Sequence, residues 1–244
     1  MDKIKQDLCR QEGEIILFDN SALNNPRYGA LCRRLYNGKS GLRDITEEEM
    51  KNRLHSLNIL NEYMAKTNFC ALEKSAVEVK AFLDSLNIQI EYIRREINLE
   101  IRHKREDISE GREVIVCLLQ EYSDSVYSFL RSLGGIDPTR KFNEKEKDIY
   151  LKMLSLTERE ENQSRSPDCF PRKRKLGDIL GTDNKIIASA FTIAYSSPVN
   201  VLSMDERLCG KMLRVYEYIV TGAGTKNGIL EIPRETINFT RPYY

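Results

Sequence analysis

Glu14-Ile15-Ile16-Leu17-Phe18-Asp19-Asn20-Ser21 is the stretch that decides the fold class. Its four apolar residues follow one another without polar alternation. That is the pattern of a strand covered on both faces, as in a parallel sheet. The run closes at once on a carboxylate, Asp19. Ser21 then reads as the N-cap of a helix from about Ala22 to Tyr36, which Asn37-Gly38 ends.

The same grammar recurs further along. Val199-Asn200-Val201-Leu202 reads as a strand, followed by Ser203-Met204-Asp205 and a helix from Glu206 to about Tyr216. Phe69-Cys70-Ala71-Leu72 is a shorter apolar run and a third candidate strand. Thr46 and Glu49 form a capping box for a helix toward Ala65. Ser75 opens a long helix whose apolar stripe is Phe82, Leu86, Ile90, Ile93, Ile97 and Ile101. A further helix carries Ile115, Leu118, Leu119, Tyr122, Val126, Phe129, Leu130 and Leu133 on one side and ends at Gly134-Gly135, and Asn143 with Glu146 starts another, through about Arg159. Helix returns at Asp183, with Ile186, Ile187, Ala190, Ile193 and Ala194 facing inward. Short β-like pieces follow near Ile219 and Ile229.

Strands that alternate with helices make βαβ units and a parallel sheet. The expected class is therefore α/β. The expected organisation is a single domain over 1–244, with core segments about 12–83 and 177–244. The helical stretch of about 84–160 reads as an insertion.

Composition narrows the class further. The chain is 41% hydrophobic and 31% charged, enough to bury a core. Its 38 basic and 37 acidic residues nearly cancel, so global charge points to no nucleic-acid partner. Mean hydropathy is −0.49, which leaves room for exposed helix. The first twelve residues are charged from residue 2 and have no apolar stretch, so they do not read as a signal peptide. The run from Ile186 to Tyr195 falls short of the roughly 20 residues that span a bilayer. The expectation is a cytoplasmic protein with no membrane partner. The six cysteines show no CxxC spacing, and with only His55 and His103 beside them a zinc site has poor support.

Ligands of an open α/β sheet bind beyond the carboxyl ends of its strands. Asp19 directly follows the first strand, and Asp205 lies just past the second. Asp183 begins the helix leading into that second strand, and Glu78 lies six residues past the third candidate strand. Each acid has a plain structural reading. An aspartate in a helix's first turn complements the macrodipole, and Glu78 has a close competitor in Glu73. Asp19 resists it best, since a carboxylate ending an apolar strand is costly to desolvate. Together the acids repel one another, and no lysine or histidine is placed among them. A hard divalent cation, Mg²⁺ or Mn²⁺, resolves that repulsion. Such a site orients and deprotonates a water and neutralises charge on a phosphodiester.

Ile15-Ile16-Leu17-Phe18-Asp19-Asn20-Ser21-Ala22-Leu23 resembles the opening strand of PIN-domain nucleases. Asp183-Asn184-Lys185-Ile186-Ile187-Ala188-Ser189-Ala190 is similar to that family's third-acid helix. Val199 to Asp205 is similar to its last motif, and Ser75-Ala76-Val77-Glu78-Val79 matches the second-acid helix more loosely. The resemblance implies a three-layer α/β/α fold around a central parallel sheet, plus one or two Mg²⁺ or Mn²⁺ ions. It implies an endoribonuclease that hydrolyses single-stranded RNA. Asp19, Glu78 and Asp183 would hold metal, Asp205 would support a metal or its waters, and Ser203 and Asn20 would support the acids. Small nucleases of this type often pair, so a homodimer is an expectation, as is a regulatory protein partner such as an antitoxin.

Two departures stand beside the resemblance. Residues 84–160 have no counterpart in a minimal domain of this kind, and Asp178 is close enough in sequence to be a further acid. The basic run Arg172-Lys173-Arg174-Lys175 either binds RNA phosphates beside the metal or is a solvated loop. The rival reading is a scaffold of the same fold that binds RNA or a protein partner without cutting.

Overall fold

The structure is a computed structural model, and it describes residues 13–23, 45–102, 106–133, 137–163, 181–221 and 235–240. Four strands are present: β1 (Ile15–Phe18), β2 (Asn68–Ala71), β3 (Val199–Leu202) and β4 (Ile237–Thr240). Six α-helices accompany them: α1 (Glu47–Lys66), α2 (Glu73–Arg102), α3 (Glu106–Leu133), α4 (Glu144–Gln163), α5 (Thr182–Ile193) and α6 (Glu206–Val220). Short 3-10 turns cover Asn20–Leu23 and Pro138–Lys141.

The strands form one sheet in the order β2-β1-β3-β4, and every pairing is parallel. The α/β class expected from the apolar runs is therefore the class observed. Phe18, Ala71, Leu202 and Thr240 lie in one row at the carboxyl ends of the strands. Period-2 alternation sends Leu17, Cys70, Val199 and Val201 to one face. There they join Ile149 and Met153 of α4, Ile186 and Ala190 of α5, and Leu208, Met212 and Val215 of α6 in a single core. On the other face Ile16, Phe18, Phe69, Ala71 and Leu202 are buried too. The Phe18 and Phe69 rings meet at 5.5 Å. Burial on both faces is why these strands read as unbroken apolar runs.

The chain divides into two compact units. The first holds the sheet, the start of α2, α4, α5 and α6. The second holds α1, α3, and α2 from Ala76 onward. The helix α4 falls inside the stretch read as an insertion, and it packs against α5 in the first unit. Within the second unit Phe82 of α2 meets Tyr122 of α3 edge-on at 6.5 Å, and Ser123 donates to Asn87 at 2.6 Å. Arg53 and Glu49 of α1 form an ion pair at 2.9 Å with side chains 2% and 9% exposed.

Local signals set several boundaries. Thr46 caps α1 by accepting the Glu49 N–H at 3.1 Å. Asn143 and Glu146 close a reciprocal capping box on α4, at 3.0 and 2.8 Å. Three expectations need correction. The helix assigned to Ser75 begins two residues earlier, at Glu73, because the buried Asp137 accepts the Glu73 N–H at 2.7 Å. Ile219 lies in α6, which runs on to Val220, and the last strand is at Ile237–Thr240. Ser21 sits inside a 3-10 turn that starts at Asn20, so it is no α-helix N-cap. The rest of the helix expected to Tyr36, the piece near Ile229, Asp178 and Arg172 to Lys175 lie outside the described residues.

Candidate functional site

Asp19 is the first residue to leave β1, yet its backbone stays tied to the sheet, since its N–H donates to the Leu202 carbonyl at 3.0 Å. Ser203 leaves β3 in the same way and donates its N–H to the Thr240 carbonyl at 3.1 Å. Two parallel neighbours thus end in register, and each hands its next side chain to the same place. Ser203 is fully buried and Asp19 is 6% exposed.

The contacts there form a closed set. The Ser203 hydroxyl donates to Oδ2 of Asp19 at 2.6 Å, and the Ser21 hydroxyl donates to the same oxygen. The Met204 N–H donates to Ser21 Oγ at 2.8 Å, and the Asp205 N–H donates to Ser203 Oγ at 3.0 Å. A hydroxyl has one proton and two lone pairs. With both protons on Asp19, the 2.8 Å approach of the two serine oxygens carries no further proton. The backbone amides after β3 fill the lone pairs instead. Ser21 was read as a helix cap in the sequence, and its part in this set went unseen. The signal for it is its place two residues past an acid that ends a strand.

Asp205 caps α6, its Oδ1 accepting the Arg207 N–H at 2.8 Å. The plain reading of Asp205 as a helix start is therefore correct, and its charge acts on the site as well. Burial pushes the Asp19 carboxyl above its ordinary value. The Ser203 and Ser21 hydroxyls and the Ser21 N–H pull it back, and the Asp205 charge pushes it up again. The net direction is up. A desolvated carboxylate pushed further up by a neighbouring negative charge is a place where positive charge is stabilised.

The other candidate acids lie on the helices α5 and α2. Asp183 is half-buried in the first turn of α5. The residue before that helix, Gly181, is left-handed at φ 63° and offers no side-chain cap. An acid in this turn complements the helix dipole. Next to it Asn184 is buried and accepts a hydrogen bond from the buried Lys211 amine. This lysine was not foreseen among the acids. Its spacing from Leu208, Met212, Val215 and Ile219 puts it on the inward face of α6. Glu78 is half-buried on α2 and belongs to the second unit. Its competitor Glu73 is an exposed surface residue paired with Arg140 at 3.2 Å. Asn20 begins the 3-10 turn and is half-buried.

Among the described residues no three His, Cys, Asp or Glu side chains stand close enough together to hold a metal ion. Comparison with family models, with curated proteins and with solved structures finds no match. No described helix is long and apolar enough to cross a membrane.

The donor chemistry fits a hard cation nonetheless. Mg²⁺ is commonly bound through one or two carboxylates, waters and substrate phosphates. Asp19 and Asp205 are a pair of that kind, and both serine hydroxyls fall on Oδ2 of Asp19 alone.

Proposed function

We propose that this chain is a divalent-metal-dependent endoribonuclease of the PIN type, cutting single-stranded RNA, with a three-layer α/β/α core. One observation supports the reading above the others. Asp19 is a desolvated carboxylate at the end of the central strand, raised by Asp205 at the end of the neighbouring strand. Burying a carboxylate beside another acid is unfavourable unless a cation joins them.

Asp19 and Asp205 are the residues that would hold Mg²⁺ or Mn²⁺, with Asp183 and, by resemblance, Glu78 as the further acids. When bound, such an ion supplies an activated water and offsets charge on the phosphodiester. The chain's own residues do the rest. Ser203 and Ser21 fix the Asp19 carboxylate in one rotamer by donating to Oδ2. The sheet holds the Asp19 backbone and the Ser203 hydroxyl holds the Asp205 N–H, so the two acids keep their spacing when substrate arrives. The basic run Arg172 to Lys175 would meet RNA phosphates.

The absence of a three-acid group among the described residues favours a second reading. In it the same scaffold binds RNA or a protein partner without cutting. The deciding experiment is cleavage of a mixed-sequence single-stranded RNA with Mn²⁺, by wild type and Asp19→Asn side by side, with EDTA as control. Cutting by wild type alone, abolished by EDTA, supports the nuclease. An inert wild type at high enzyme on RNA and on single-stranded DNA sinks it and leaves the binding scaffold.

A further inference from the structure

Asn200 is the polar residue of β3, Val-Asn-Val-Leu, and it is 6% exposed. Its Oδ1 is buried and has no hydrogen-bond partner. A buried acceptor left so is costly, and it calls for a water or an ion to meet it. Glu14, directly before β1, is 3% exposed. Among the described residues no lysine, arginine or histidine pairs with it. A buried carboxylate without a cation is costlier still.

The strand register brings these two side chains together. Asn200 lies beside Ile16 of β1 and Asn238 of β4, so the three share one face of the sheet. Glu14 is two residues before Ile16 and belongs to the same face. It accepts a hydrogen bond from Asn238 Nδ2 at 3.3 Å. β3 stands between β1 and β4. A Glu14 side chain that reaches Asn238 has therefore crossed β3, and its carboxylate lies over the strand that carries Asn200. All three residues belong to the first unit. They lie toward the amino ends of the strands, while Asp19 follows the carboxyl end of β1. Asn238 is exposed, so the group opens to solvent on the β4 side.

We infer that Glu14 and Asn200 form a binding site for a monovalent alkali cation, Na⁺ or K⁺, at the amino end of the sheet. Both side chains offer oxygen, and carbonyl oxygens replace the hydration shell of such ions. A carboxylate has about four acceptor positions, so Glu14 serves Asn238 and an ion together. Charge selects the valence. A divalent ion beside one carboxylate leaves a positive charge buried, and a monovalent ion leaves none. A water would donate to Asn200 Oδ1 and to Glu14, but the charge of the carboxylate would stand. Waters entering at the open Asn238 side complete the shell of the ion.

This site is independent of the nuclease reading, because it uses none of the acids proposed there and its readout is thermal. The experiment is thermal unfolding of the full chain in EDTA, with choline replaced stepwise by Na⁺ or by K⁺ at constant ionic strength. Wild-type Tm is expected to rise by about 2–4 °C, the shift for a roughly fivefold gain in the folding constant of a chain this size. Glu14→Gln keeps the shape and the bond from Asn238. It is expected to unfold above wild type in choline and to ignore both ions. Asn200→Val suits a strand and removes the oxygen, and it is expected to move the half-response to higher cation concentration. A wild-type Tm that is the same in choline, Na⁺ and K⁺ overturns the inference and leaves an ordered water at the site. So does an equal response in Glu14→Gln, or a half-response that Asn200→Val leaves in place.

Discussion

Ser203 Oγ donates to Asp19 Oδ2 at 2.6 Å across 184 positions of sequence. The same hydroxyl accepts the Asp205 N–H at 3.0 Å. One buried atom thereby sets the rotamer of one acid and the backbone of the other. Ser203→Ala is expected to leave a buried N–H and a carboxylate oxygen each short of a partner. The expected cost is about 1–3 kcal/mol of stability, together with a loss of about 10–100-fold in metal affinity or cleavage, as for residues that orient metal ligands. Urea unfolding and Mn²⁺ titration check the two separately. An unchanged ion affinity would show that Ser203 serves only the fold.

Asp19→Asn is expected to abolish cleavage and to stabilise the protein at neutral pH. The sign follows from the direction of its shift. A carboxyl raised above its ordinary 3.8 favours the protonated fold. Its stabilising contribution is complete below that value and is lost as pH rises through the raised one. Asparagine has no charge to desolvate, so its advantage over wild type grows toward neutrality and vanishes at about pH 3. Urea midpoints of both proteins, without divalent ions, measure this. A variant less stable than wild type at neutral pH contradicts the assignment of desolvation as the main cause.

Adding Mg²⁺ or Mn²⁺ is expected to reverse that order. An ion that binds only the fold stabilises by about 2.7 kcal/mol at a hundred times its Kd. Wild-type Tm rises with ion concentration, and Asp19→Asn and Asp205→Asn do not respond. Equal shifts in all three proteins would place the ion elsewhere.

Asp137 is expected to matter for stability and not for chemistry. Its Oδ2 accepts the Glu73 N–H at 2.7 Å, and its Oδ1 accepts the Thr139 N–H at 2.9 Å. Asp137→Ala uncaps α2 and the following 3-10 turn at once, at a cost of about 0.5–2 kcal/mol for each lost cap. Denaturant midpoints measure the loss, with RNA cleavage per folded molecule expected to stay constant.

The buried pair of α1 gives the largest expected stability effect. Glu49→Leu removes the carboxylate that Arg53 meets at 2.9 Å. Breaking a buried pair by deleting one partner costs about 3–5 kcal/mol. Replacing both, as Glu49→Leu with Arg53→Met, is expected to recover most of it. Thermal unfolding of the single and double variants reads the difference.

Parts of this architecture were legible because the relevant physics is local. β1 is an apolar run that Asp19 follows at once, β3 is a mostly apolar run with Asp205 three residues past its end, and Asn143 and Glu146 form a cap within four residues. What escaped depends on distant partners or weak patterns. The start of α2 is set by Asp137, 64 positions away. β4 is an outer strand, Ile-Asn-Phe-Thr, with half-buried and exposed side chains and no apolar run to announce it. Ser21 satisfies the local rule for a helix cap, and only the approach of β3 shows that its hydroxyl belongs to Asp19. Lys211 hides in an amphipathic helix whose inward positions are otherwise apolar.

The parallel pairing of β1 with β3 also has a consequence in time. A ribosome adds about 5–20 residues per second, so the nascent chain carries Asp19 for on the order of ten to forty seconds before Ser203 and Asp205 are made. Through that interval β1 has no β3 to lie beside, and the acid has neither the Ser203 hydroxyl nor Asp205 as a neighbour. The pairing also closes a very long loop, which slows folding once synthesis allows it. The centre therefore assembles late, and a chain cut short anywhere before residue 203 never has one.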